Sequence, residues 1–280
     1  MITITTYKEL AFYIRMFRDG NCDLLILESR GGYGKSTIVN AVMEETKHLK
    51  ILSHVTPMKF FISGYLYRDC PIICDDTDSL VTNKENVAIL KMLCETQKTK
   101  EISWLTTSKI LKANEIPNKY ETKSRVMIIC NSFNILNRNV SSLTDRGFHI
   151  RFVPSKSELL TKIKEIAVNY KNEADTEEII KIIEKYARFC KLSLRSFVKG
   201  CFLYKQDKDN FRDRLLQELE ISEKMILLDK LLLKYDNDQE RLEHWNYSRA
   251  TYYRTKQSLN VSPVMKHEQE ILITPIVQKV

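Results

Sequence analysis

Glycine and proline are scarce, with 7 Gly and 6 Pro in 280 residues. So few chain-loosening residues exclude long flexible linkers, and they make each glycine that does occur informative. The 7 cysteines include no Cys-x-x-Cys pair, and no His-rich cluster accompanies them. An odd count without paired spacing argues against a metal site and against a disulfide framework. Cys74 and Cys130 lie inside apolar runs and are expected to be reduced core thiols. No apolar stretch approaches the ~18–20 residues that span a bilayer. Met1 to Leu10 also lacks a basic segment followed by an apolar run, so no secretory signal is visible. The expectation is an intracellular, cytoplasmic chain with no membrane partner.

What is present is ordinary globular composition, 43% hydrophobic and 29% charged, enough to build a core. The 44 Lys+Arg against 36 Asp+Glu leave a net charge of +8, which mildly favours polyanionic partners. The length suits one large domain and one small one. Residues 6–19 have the spacing of an amphipathic helix. Short apolar runs at 23–29, 50–55, 71–75, 101–107, 125–131 and 148–153 read as strands. Helical segments follow 35, 57 and 85, and this alternation predicts an α/β domain with a mostly parallel sheet. Arg125, at the head of its run, could be a surface residue. Beyond Pro154 the chain reads as helical throughout, at 156–170, 175–190, 193–206, 211–235, 237–245 and 248–259. The tail from 261 has no clear pattern. The expected division is a 1–154 core, a 155–206 helical lid and a 207–280 helical region.

Between the first apolar strand and the helix after it stands Ser29-Arg30-Gly31-Gly32-Tyr33-Gly34-Lys35-Ser36-Thr37, the context of a phosphate-binding loop. Its glycines let backbone amides curl around phosphate oxygens, and the helix N-terminus adds donors and a favourable dipole. Lys35 would reach the β- and γ-phosphates of ATP, and Ser36 would ligate Mg²⁺. The usual pattern opens on Gly, where this chain has Ser29. Downstream, Pro71-Ile72-Ile73-Cys74-Asp75-Asp76 is an apolar strand ending in two carboxylates. Val126 to Asn131 is an apolar strand ending in an amide. Leu143-Thr144-Asp145-Arg146-Gly147 precedes the last strand, and Ser193-Leu194-Arg195 opens a helix in the helical region.

Taken in order, these five features resemble the AAA+ P-loop ATPases over roughly residues 21–206. The resemblance implies a P-loop NTPase sheet followed by an α-helical lid. It implies Asp75 as a Mg²⁺ ligand and Asp76 as the group that polarises the attacking water, in the place where many AAA+ proteins carry Glu. It further implies Asn131 as sensor 1, Arg146 as the arginine that reaches the γ-phosphate on a neighbouring subunit, and Arg195 as sensor 2. The segments DDTDSL, LKMLCETQKTKEISWLTTS and SRVMIICN look like those of P-loop ATPases carried by phages, plasmids and other mobile elements.

Residues 237–259 resemble a helix-turn-helix in a small all-α domain. Ser248 caps the second helix, Arg249 and Thr251 would reach base edges or phosphates, and Tyr253, Arg254 and Lys256 suit the DNA backbone. Leu242, Trp245, Ala250 and Leu259 would supply the small core. The expected function is an oligomeric ATPase acting on DNA in replication, mobilisation or transposition, with other replication or transposition proteins as further partners. Two alternatives stand beside it: an ATP-sensing DNA-binding regulator without turnover, and a P-loop kinase for a small molecule.

Overall fold

The computed structural model describes residues 1–104, 108–133 and 142–260. Positions 105–107 of the expected strand 101–107 and the tail from 261 lie outside these. The chain divides into two units, Met1–Glu158 and Leu159–Val280. Among the described residues no helix is long and apolar enough to cross a membrane.

The first unit is built on a six-stranded parallel sheet in the order β1-β8-β2-β7-β4-β3. Its strands are β1 (Ile2–Ile4), β2 (Leu24–Glu28), β3 (Leu49–Leu52), β4 (Ile72–Asp75), β7 (Val126–Cys130) and β8 (Phe148–Phe152). All residues of β2, β4 and β7 are buried, as expected of central parallel strands covered on both faces. Alternation sorts them. Leu24, Ile26, Ile72, Cys74, Val126 and Ile128 pack on one face with Phe60 and Phe61 of α3 (Pro57–Leu66) and Leu90 of α5 (Lys84–Leu93), α4 (Asp78–Thr82) lying between these helices in the chain. Leu25, Leu27, Ile73, Met127 and Ile129 pack on the other with α1 (Tyr7–Arg18) and α2 (Lys35–Met43). Helix α1 is the expected amphipathic one. Leu10, Ile14 and Phe17 form its buried stripe, and Thr6 with Glu9 closes a capping box at its start.

Three expectations are corrected. The segment read as a sheet strand at 101–107 is instead β5 (Lys100–Ser103), paired antiparallel with β6 (Lys119–Thr122) in a separate ribbon; α6 (Lys109–Ala113) lies between them in the chain. Arg125 is half-buried rather than exposed. Its Nε donates to Phe17 O at 2.6 Å and its guanidinium lies 5.5 Å from the Phe17 ring, capping the last carbonyls of α1. The helix expected at 211–235 is broken at Glu220, whose φ of 58° is left-handed, and Ser222 caps the next helix by accepting from Met225 N at 3.4 Å.

Gly147 enters β8 against the start of β2. A Cβ there would overlap the carbonyl oxygen of Leu24, a backbone atom that cannot swing aside. Gly147→Ala is expected to cost about 3 kcal/mol or more by forcing β8 off β2; urea unfolding with an unshifted midpoint would refute this.

The second unit holds α7 from Leu159 onward (the helix spans Lys156–Ala167), a 3₁₀ turn (Val168–Tyr170), α8 (Thr176–Tyr186), α9 (Leu194–Gln206), α10 (Phe211–Glu218), α11 (Glu223–Lys234), α12 (Asp238–Glu243) and α13 (Arg249–Asn260). Leu228, Leu231, Trp245 and Tyr252 form a small core for the last three helices, with Leu242 packed against it. Tyr252 is fully buried, whereas Ala250, expected in that core, is exposed. The side chain of Leu259, the other expected core residue, is not among those described.

Candidate functional site

The sheet register gathers the candidate nucleotide residues at the C-terminal ends of three adjacent strands. Glu28 pairs with Cys130 across β2 and β7, and Asp75 pairs with Ile129 across β4 and β7. The next residue of each strand continues the row: Ser29 N donates to Cys130 O and Asp76 N to Ile129 O, both at 3.1 Å. Ligands of open α/β sheets collect at this edge, where the chain leaves β2 in one direction and returns on the other side.

The loop after β2 turns on two left-handed glycines, Gly32 with φ 85° and Gly34 with φ 79°. Other residues rarely adopt that conformation. Gly34 occupies the N-cap of α2 with no side-chain cap, and the first turn carries no acidic residue. The first-turn amides of α2 therefore lack both a capping acceptor and a carboxylate, which suits them to an anion. Lys35, the first residue of α2, is buried. Its ammonium contacts Ser29 O, Cys130 O at 3.1 Å and Asn131 Oδ1 at 3.1 Å. Lys35 and Asn131 are thus brought together directly. Ser36 is half-buried and Thr37 exposed on the same turn. Tyr7 of α1 donates its hydroxyl to Tyr33 O at 3.0 Å and ties that helix to the loop.

Asp75 is buried at the end of β4, and Asp76 after it is exposed with a left-handed φ of 51°. A non-glycine residue in that region stores up to about 1–3 kcal/mol of strain, least for Asp and Asn. The hydrogen bond from Asp76 N to Ile129 O holds it there. Among the described residues no group of three or more His, Cys, Asp or Glu is placed to hold a metal ion. The donors expected for Mg²⁺ are the Ser36 hydroxyl and the Asp75 carboxylate. They suit an ion that keeps several waters and takes most other ligands from phosphate.

Arg146 lies elsewhere. It precedes β8, beside the N-terminal end of β2, because Phe148 pairs with Leu25. Its guanidinium donates to Lys91 O at 2.6 Å and to the Glu95 carboxylate. Strand β2 is five residues long, ~16 Å at ~3.3 Å per residue, and separates Arg146 from the loop Ser29–Thr37 of its own chain. Arg195 belongs to the second unit, where it is exposed in the first turn of α9 after the Ser193 cap.

In the C-terminal helices Ser248 caps α13, accepting from Thr251 N at 3.3 Å, and its hydroxyl meets Thr251 Oγ1 at 2.8 Å. Arg249, Tyr253 and Arg254 are exposed on one helix. Lys256 is instead held by Asp238, with Nζ 2.7 and 2.5 Å from the carboxylate oxygens. The Tyr252 hydroxyl and Arg241 also donate to Asp238, at 2.8 and 2.9 Å. The Lys256 hydrogen bond, with those of Tyr252 and Arg241, outweighs burial and holds the Asp238 carboxyl down to about 2. A depressed carboxyl pKa contributes stability that is complete above the unfolded value, ~3.9, and is lost as pH falls through the folded one. The helices around Trp245 are therefore expected to loosen between about pH 4 and pH 2. Trp245 fluorescence in a Trp104→Phe background would report it. An Asp238→Asn variant with the same acid transition would refute the assignment.

One cluster escaped sequence reasoning. Glu28 is buried at the end of β2. Its Oε1 accepts Nε and Nη2 of Arg151 at 3.2 and 2.9 Å, and its Oε2 meets Nε2 of His149 at 3.1 Å and accepts from Phe133 N at 3.3 Å. Burial alone would raise this carboxyl's pKa, but the bonds from His149 and Arg151 outweigh it and the group titrates below its usual range. The available signal was a lone acid closing an apolar strand, matched by polar residues at alternate positions of Phe148–Phe152.

No family model matches the chain, and no curated protein matches it. Solved structures do. Domain III of the Thermotoga maritima replication initiation protein DnaA aligns with a TM-score of 0.50 and 11% identity, over 78% of this chain and 94% of that one. Two mutants of RuvB from the same organism align with TM-scores of 0.51 and 0.52 and identities of 13% and 16%. They cover 82% and 80% of this chain and 77% and 75% of theirs. With its parallel sheet, its loop after β2 and its covering helices, the chain has the α/β fold of the AAA+ P-loop NTPases.

Proposed function

We propose that this chain binds ATP at the loop Ser29–Thr37, hydrolyses it between neighbouring subunits of a homo-oligomer, and works on DNA through its C-terminal helices. The observation that carries the reading is the contact between the buried Lys35 ammonium and Asn131, on the strand edge that also ends in Asp75. A phosphate is a stronger partner for this ammonium than neutral carbonyls are. Lys35 and the α2 amides would bind the β- and γ-phosphates. Ser36 and Asp75 would hold Mg²⁺, which supplies charge neutralisation on the phosphate oxygens. Asp76 would orient the attacking water and accept its proton as the γ-phosphorus bonds to the water oxygen and the bond to ADP breaks. Asn131 would fix that water, and Arg195 would contact the same phosphates.

The DNA arm of the proposal rests on Arg249, Tyr253 and Arg254, exposed on a capped helix that has no acidic residue. The fold likeness to a domain of a replication initiation protein supports it. The role we assign is replication, mobilisation or transposition of a mobile element, together with other proteins of such a system. Lys256 is occupied by Asp238, which leaves the phosphate contacts to the two arginines and Thr251. An Arg249→Ala/Arg254→Ala variant is expected to lower duplex affinity about 10–100-fold and the salt slope by about 2. Anisotropy titrations at two salt concentrations measure both, and wild-type values would place the DNA surface elsewhere. A regulator that binds ATP without turnover is the second reading, favoured by Asp76, a carboxylate one methylene shorter than Glu on a left-handed residue.

A further inference from the structure

The contacts of Glu28 close a circuit around the nucleotide loop. Its backbone continues into Ser29, whose carbonyl takes the Lys35 ammonium. That ammonium also reaches Asn131 Oδ1 at 3.1 Å, two residues from Phe133, and the amide of Phe133 returns to Glu28 Oε2 at 3.3 Å. The remaining acceptor positions of the carboxylate are filled from β8, by the Arg151 fork and by His149, whose ring stands edge-on to Phe133 at 5.4 Å. An aliphatic side chain at this position would fill the same core volume but would not tie the end of β2 to the loop after β7. A buried carboxylate is costly to keep unless all its partners are present, so its oxygens hold those partners in one arrangement.

We propose that Glu28 is a positioning residue of the nucleotide site: by holding Phe133 N it sets the distance between Asn131 and Lys35, and so the preference of the site for a triphosphate over a diphosphate. This rests on the reading of Ser29–Thr37 as a nucleotide loop. The α2 amides and the loop glycines, which would hold the inner phosphates, do not depend on the circuit. Asn131 does, and its place beside the Lys35 ammonium is where an outermost phosphate would be sensed.

The test is calorimetric titration of the full chain with Mg·ATP and with Mg·ADP. Glu28→Gln keeps the size of the side chain but cannot accept on both oxygens. It is expected to weaken ATP binding about tenfold while ADP binding stays within about threefold, so that the ATP/ADP ratio falls. Glu28→Asp keeps the charge and the Arg151 pair but withdraws the carboxylate from Phe133, and should lower the ratio as well; it carries the test if Glu28→Gln does not fold. Arg151→Met removes the outer fork but leaves the Phe133 amide and His149 on Oε2, and is expected to lower the melting temperature while moving the ratio much less than the Glu28 variants do. Parallel loss of both nucleotides in the Glu28 variants, or a ratio shifted as far by Arg151→Met, would overturn the assignment and leave Glu28 a structural residue. A wild-type chain that takes up neither nucleotide would overturn the nucleotide reading itself, and this proposal with it. Unchanged ratios beside a wild type that binds both would overturn this proposal alone.

Discussion

Replacing Lys35 with alanine is expected to weaken Mg·ATP binding at least about 100-fold, equivalent to about 2.8 kcal/mol. The magnitude follows from burial. The ammonium sits out of water among the oxygens of Ser29, Cys130 and Asn131. There a charge-assisted hydrogen bond contributes about 1.5–3 kcal/mol, more than at an exposed site. Two such bonds to the β- and γ-phosphates account for the loss. The substitution also leaves the carbonyls of Ser29 and Cys130 with one partner fewer, at a cost of about 1–3 kcal/mol. A lower melting temperature should therefore accompany it, by about 2–4 °C per kcal/mol for a unit of this size. Titration calorimetry of the folded variant decides the matter, and undiminished ATP affinity would remove the phosphate role of Lys35.

Arg146→Ala is expected to lower ATP turnover by about 10³-fold or more while leaving ATP affinity in the isolated subunit unchanged. The asymmetry comes from the sheet. Arg146 lies at the N-terminal end of β2 and the phosphate loop at its C-terminal end. No side chain spans ~16 Å, so this arginine does not reach its own chain's loop, and on the proposed reading it serves a neighbour's nucleotide. Its partners, Lys91 O and the carboxylate of Glu95, leave it partly exposed. The decisive experiment mixes two inactive proteins. A Lys35→Ala chain supplies an intact Arg146, and an Arg146→Ala chain supplies an intact loop, so mixtures should regain turnover that neither has alone. Mixtures that stay inactive while forming oligomers would sink the idea.

The positions of the candidate nucleotide residues were legible because each closes an apolar run. Strand β2 delivers the loop, β4 delivers Asp75, and β7 delivers Asn131. The parallel register then aligns these ends whatever lies between them. Elements without such a run were missed. Strand β1 has three residues, too few for any periodicity, and β6 reads Lys-Tyr-Glu-Thr, buried at alternate positions only. The pairing of Glu28 with His149 joins residues 121 apart in sequence. It depends on β8 lying beside β2, which no local pattern reveals. In the C-terminal helices the existence of α12 and α13 could be read from caps and spacing, but the helical phase could not. Ala250 and Tyr252 are two positions apart, and only the packing of Trp245 decides that the tyrosine turns inward.

The placement of Arg146 and the phosphate loop at opposite ends of one strand has a consequence for assembly. On the proposed reading each copy offers a donor at one end of β2 and an acceptor at the other, so copies joined through one such contact can continue head to tail. A closed ring then completes every composite site. An open stack leaves one loop without its arginine and one arginine without a loop, at its two ends. Turnover per chain would climb as the stack lengthens and level off on closure, which makes catalytic output a gauge of how many copies have gathered.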